Sequence, residues 1–187
     1  MVAIHADAGV RVVDPVVAVA GPDEFCRRLH PRLVGTLHLY LGEPETAREL
    51  AQDALVRVIE RWSAVSVMEH PEAWTYRVAF NLARSRLRRR LAERRAHART
   101  GPQPTSSGDV EVADVLSVRS AVATLPTRQR EAVVLRYFCD LPLAEIADVM
   151  SCRTGTVKAH LHQAMANLRS AGLSDDGPVS DFTEEES

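Results

Sequence analysis

Arg77, Asn81, Arg84 and Arg88 follow one another at i, i+4, i+7 and i+11, the spacing that sets four hydrogen-bonding side chains in line along a helix. Aromatic rings stand close by at Trp74 and Tyr76. A cationic track beside aromatics suits a nucleic-acid backbone whose bases can stack, although Trp74 is equally suited to core packing. The block from Arg77 to Arg99 holds nine arginines against one acid, Glu93. Such an excess is the electrostatic footprint of a polyanion partner, or else a solvated helix face.

A second set lies in "MSCRTGTVKAHLHQAMANLR", residues 150 to 169. Its helical wheel turns Val157, Leu161, Ala164 and Leu168 to one side and Thr156, Ala159, His162 and Gln163 to the other, flanked by Lys158 and His160. Small residues allow close approach to a duplex groove, and amide or cationic groups can address base edges and phosphates. The two histidines at i, i+2 point apart and have no Cys or carboxylate at ligand spacing, so no metal site is expected. A third face, Glu49, Gln52, Asp53, Val56 and Glu60, sets an apolar residue among acids and amides. It fits either a protein-docking surface or an ordinary solvated one. The sequence has no G-x-S-x-G, no H-E-x-x-H and no phosphate-cradling glycine loop, so neither catalytic residues nor a cofactor are expected, and the chain does not read as an enzyme.

The elements that carry these residues are helical throughout. Alternating β-branched runs are missing and 3.6-residue periodicity recurs, which predicts an all-α fold. "RTGPQPTSSGDVE", from Arg99 to Glu111, gathers Gly, Pro and Ser without apolar period. It predicts a flexible linker over 99–112 between two small helical domains, 23–98 and 113–173. The apolar run "VRVVDPVVAVAG" is broken by Asp14 and Pro15, has no basic flank and is too short to span a bilayer. Residues 1–22 read as a flexible leader. The last fourteen residues, 174–187, carry six acids and no Lys or Arg, and read as an acidic disordered tail; the remainder has 19 of the 25 acids against 23 basic residues, or +4. Cys26, Cys139 and Cys152 lie far apart, which fits a reducing cytoplasm.

In the first domain a helix closes at Gly42, and Pro44 opens a second whose core stripe is Ala47, Ala51, Ala54, Leu55, Val58 and Trp62. A loop, Ser63 to His70, precedes a third helix with a buried stripe of Tyr76, Phe80, Ala83, Leu87 and Leu91. In the second domain Thr127 is the expected N-cap of one helix, and Leu143, Ile146, Ala147 and Met150 mark a short amphipathic one. A tight turn then leads to Thr154, the expected N-cap of the helix with the small outer face. The last two helices form a helix-turn-helix.

These segments resemble the extracytoplasmic-function (ECF) RNA polymerase sigma factors, two-domain members of the sigma-70 family. "ARELAQDALVRVIERW" resembles the family's region 2.2, and "AWTYRVAFNLARSRLRR" its regions 2.3 and 2.4. "LPTRQREAVVLRYFCDLPLAEIADVMSCRTGTVKAHLHQAMANLR" is similar to region 4, and the match runs over residues 24 to 172. The resemblance implies a transcription initiation factor that binds core RNA polymerase and promoter DNA and has an anti-sigma partner. Glu49, Gln52, Asp53 and Val56 would dock on the polymerase. Trp74, Arg77, Asn81, Arg84 and Arg88, with the Ser63 to His70 loop, would bind and melt the minus-10 element. Arg153, Thr156, Lys158, Ala159, His162 and Gln163 would read the minus-35 element. Ser85 stands where the family usually has aspartate, and Ala159 and Gln163 where serine and arginine are common, which implies an unusual minus-35 sequence. The rival reading is a regulator with a C-terminal helix-turn-helix that binds DNA without polymerase.

Overall fold

The computed structural model describes residues 21–97 and 113–171, so residues 1–20 of the span read as leader, and the spans read as linker and acidic tail, lie outside the described residues. Among the described residues eight helices run in order: α1 Pro22–Leu41, α2 Pro44–Glu60, α3 Trp62–Val65, α4 Pro71–His97, α5 Ala113–Thr124, α6 Thr127–Tyr137, α7 Leu143–Met150 and α8 Thr154–Ser170. The described residues contain no strand. The first helix starts at Pro22, inside the span read as leader.

Helices α1, α2 and α4 pack together as the first domain. The α1–α2 connection is only two residues because Gly42 adopts φ 78, ψ 4, and its amide closes the helix on the His38 carbonyl at 2.8 Å. Pro44 then begins α2, where its missing N–H costs nothing. The α2 stripe of Ala47, Ala51, Ala54, Leu55 and Val58 is buried as expected, whereas Trp62, read on the same stripe, lies in the next helix and is only partly buried. Tyr40 and Phe80 meet with ring centroids 4.9 Å apart, and Phe25 packs on Trp62 at 5.5 Å.

Three expectations are corrected here. The span from Ser63 to His70 is not wholly loop: it opens inside α3, and Val65 is fully buried. Leu91 is 51% exposed, although Tyr76, Phe80 and Ala83 on the same stripe are buried. At 27 residues α4 is about 40 Å long against about 26 Å for the 17-residue α2, so its C-terminal turns overrun the helices it packs on. Thr127 and Thr154 are first helical residues, not N-caps. Pro126 and Arg153 occupy the cap positions in extended backbone, and neither cap makes a side-chain hydrogen bond.

In the second domain α6, α7 and α8 pack pairwise, and α5 lies against α6. The turn into α8 rests on Ser151, a non-glycine residue at φ 53. Val157, Leu161, Ala164 and Leu168 are buried, as their spacing predicts. The two domains also touch each other, α4 against α7 and α1 against α5 and α6.

Candidate nucleic-acid interface

The outer face of α8 is open. Thr156, Lys158, Ala159, His162 and Gln163 are all exposed, as is Arg153 at the cap position. With α6 and α7 holding the inner stripe, the outer side chains project on a rigid element. Gly155 adds no bulk in the first turn, where unpaired amides and the helix dipole favour a phosphate. Two of the polar side chains on this side are already tied to α6: Asn167 donates to Gln129 Oε1 at 2.7 Å, and Gln129 donates to Gln163 Oε1 at 3.4 Å. The amide of Gln163 is thereby turned with its oxygen toward α6 and its N–H₂ group outward.

The face of α2 is equally open: Glu49, Gln52, Asp53 and Val56 are exposed, with Val56 51% accessible. Ile59, which the sequence reading passed over, is 50% exposed three residues on. Its signal was the i, i+3 spacing from Val56. Two aliphatic side chains ringed by acids and an amide are a stronger docking feature than one.

The α4 stripe is different. Arg77, Asn81 and Arg88 are exposed, and Arg88 donates to Ser85 Oγ at 3.1 Å. Trp74 is partly buried against the core, which favours packing over stacking for its ring. Arg84 does not face solvent. Its guanidinium donates to Glu131 Oε1 at 2.6 Å, to the Val149 carbonyl at 3.3 Å, and to Asn81 Oδ1. Its side chain is 15% exposed and that of Glu131 0%. The four residues expected to form one continuous track are therefore interrupted at Arg84 by the second domain.

Glu131 was missed by the sequence reading. It also accepts from Arg128 at 3.1 Å, so one buried carboxylate holds a guanidinium from each domain. Its signal was helical register: it lies on the apolar side of α6, one turn before Leu135. Burial pushes its pKa up, and the two arginines oppose that rise. A second cross-domain pair joins His70 Nδ1, at the end of the loop before α4, to Glu145 on α7 at 3.1 Å.

Comparison with known proteins bears on both domains. Residues 25–93 match the model of "Sigma-70 region 2" and residues 116–168 that of "Sigma-70, region 4". This chain belongs to the sigma-70 family, as an ECF sigma factor. The RNA polymerase sigma-E factor of Streptomyces coelicolor is 28% identical over 147 residues, covering 79% of this chain and 83% of that protein. The ECF sigma factor SigW of Bacillus subtilis is 27% identical over 143 residues, covering 69% and 76%. The fold is shared with the sigma factor RpoE, solved with the anti-sigma factor NepR from Bartonella quintana, at a TM-score of 0.67 and 20% identity over 80% of this chain and 96% of that one. CnrH, solved with the cytosolic domain of CnrY, gives 0.56 and 21% over 80% and 85%. As a sigma factor, the protein directs promoter-specific initiation of transcription by RNA polymerase. The rival reading of a polymerase-independent regulator does not account for the region 2 match. No helix among the described residues is long and apolar enough to cross a membrane.

Proposed function

We propose a division of labour among the three faces, in a non-catalytic factor acting in the cytoplasm. The α2 face of Glu49, Gln52, Asp53 and Val56 docks on core polymerase, where the aliphatic pair Val56 and Ile59 supplies the apolar centre. The first domain binds and melts the minus-10 element through Trp74, Arg77, Asn81, Arg84 and Arg88. The outer face of α8, led by Arg153, Thr156, Lys158, Ala159, His162 and Gln163, reads the minus-35 duplex. The observation that carries this reading is the exposure of the whole α8 outer face while its inner stripe is buried. An anti-sigma partner is expected because RpoE and CnrH, which share the fold, were solved in complexes with NepR and CnrY.

The test is reconstituted transcription with core polymerase across a promoter library. A glutamine can pair with adenine through its two-sided amide, and a glutamate can only accept. Gln163→Glu should cost roughly 1 to 3 kcal/mol at the cognate minus-35 sequence and change base preference at one position. Lys158→Ala should lower output evenly across the library, since a phosphate contact carries no base information. Identical shifts in promoter preference for both variants would end this assignment.

A further inference from the structure

Part of the polar contact between the two domains falls on the surface assigned to the minus-10 element. Arg84 of α4 reaches Glu131 and the Val149 carbonyl, and His70 reaches Glu145, so both the stripe and the end of the loop lie against α6 and α7. On the other side of the interface Arg130 of α6 donates to the Tyr40 carbonyl of α1 at 3.0 Å, and Arg32 of α1 to the Cys139 carbonyl at 3.3 Å. The Cys139 thiol lies 3.3 Å from Thr36 Oγ1 and is 4% exposed, shut in by the first domain. The faces of α2 and α8 remain open. Of the residues assigned to the three surfaces, Arg84 is the one whose charged group is taken up by the other domain, while Arg77, Asn81 and Arg88 beside it stay exposed.

We infer that this closed arrangement is a self-inhibited form of the sigma factor, in which Glu131 holds the Arg84 guanidinium that the promoter strand requires. The inference rests on the minus-10 reading given above. A carboxylate and a backbone phosphate offer the same chemistry to a guanidinium, namely anionic oxygens in a planar or near-planar fork, so they compete for it. Two features keep the closed form easy to open. Burying Glu131 raises its pKa despite two arginine partners, so the desolvation of the carboxylate is not fully offset by the pairing. The seam also opens into a surface groove of about 570 Å³ between α1, α5 and the end of α6, where Val118 and Phe138 remain 42% and 40% exposed.

Cys139 supplies a native probe of opening. In the free full-length chain its alkylation by iodoacetamide, followed by mass spectrometry, should be far slower than that of the partly exposed Cys152. Arg130→Ala and Glu131→Ala each remove a cross-domain contact without altering Arg32 or Thr36, which touch Cys139. Both should speed Cys139 alkylation and bind a fluorescent single-stranded minus-10 oligonucleotide about tenfold more tightly, the worth of one charge-assisted hydrogen bond released. Helicity by circular dichroism checks that each variant folds. Arg84→Ala opens the domains and also removes the cation, so it should combine fast alkylation with weak oligonucleotide binding. Unchanged alkylation in both interface variants, or faster alkylation with no gain in oligonucleotide affinity, overturns the inference. Strong oligonucleotide binding by Arg84→Ala would instead overturn the minus-10 reading, a distinguishable failure.

Discussion

Glu131 is buried where the two domains meet, and its titration is open to measurement. Its carboxyl is raised from its ordinary value of 4.5 by burial, with Arg84 and Arg128 acting in the opposite sense. A carboxyl with a raised folded pKa binds protons more tightly folded than unfolded. Its contribution to stability is therefore complete below the unfolded value and is lost as pH rises through the folded one. Glu131→Gln abolishes this titration. Urea midpoints of the two proteins, compared from about pH 4 to about pH 7, should shift steadily in favour of the variant as pH rises. A difference that stays constant with pH would mean that Glu131 titrates as it does in the unfolded chain. Little of this was legible in the sequence. The positions of Arg77, Asn81, Arg84 and Arg88 on one helix side follow from spacing alone, but the occlusion of Arg84 arises from a contact 47 residues away in sequence. Local periodicity has no access to such a contact. What it could show was an acid in apolar register beside Leu135, a signal passed over because a charged residue there is usually taken as surface.

At the scale of elements the reading was more secure, and where it failed the cause was local. The buried stripes of α2 and α8 follow from residue spacing because each helix has one continuous apolar side and a mainly polar or small opposite side, interrupted in α2 by Val56 and Ile59. Helix α5 was not identified: it follows directly on the Gly- and Pro-containing stretch read as linker, and no proline or glycine marks its start. Leu91 failed because periodicity carries no information on where a neighbouring helix ends. Gly42 was read correctly as the close of α1, and its geometry gives a quantitative expectation. At φ 78 the backbone is in the left-handed region, and a Cβ added there meets nothing within 4 Å. The cost of Gly42→Ala is therefore backbone strain alone, about 1 to 2 kcal/mol. Urea unfolding should show that loss with an unchanged m-value, because neither the core nor the exposed surface changes. A neutral substitution would mean that the two-residue connection relaxes to another turn.

Across the whole molecule the arrangement sets an order of events. On the assignment proposed above, polymerase approaches the closed chain through α2, because that face is open while Arg84 of the α4 stripe is held by Glu131. Docking should precede domain separation, and separation should precede strand capture. A large partner that holds the first domain on one surface and draws the second domain elsewhere shifts the equilibrium by the difference in its affinity for the open and closed forms. The Cys139 probe reports that shift directly. Core polymerase added to the wild-type chain should accelerate Cys139 alkylation, because the first domain no longer shields the thiol. Changing Glu49 and Asp53 together to Lys should leave the slow alkylation of the free chain unaltered, since both residues are exposed and none of the cross-domain contacts at Arg32, Thr36, Tyr40, His70 or Arg84 involves them. The same variant should weaken co-purification with core polymerase, as charge reversal at a docked face costs several kcal/mol. Polymerase should then fail to accelerate its alkylation at concentrations that suffice for wild type. Acceleration that persists in the charge-reversed variant would place the first polymerase contact on another surface, and the sequence of docking before opening would have to be given up.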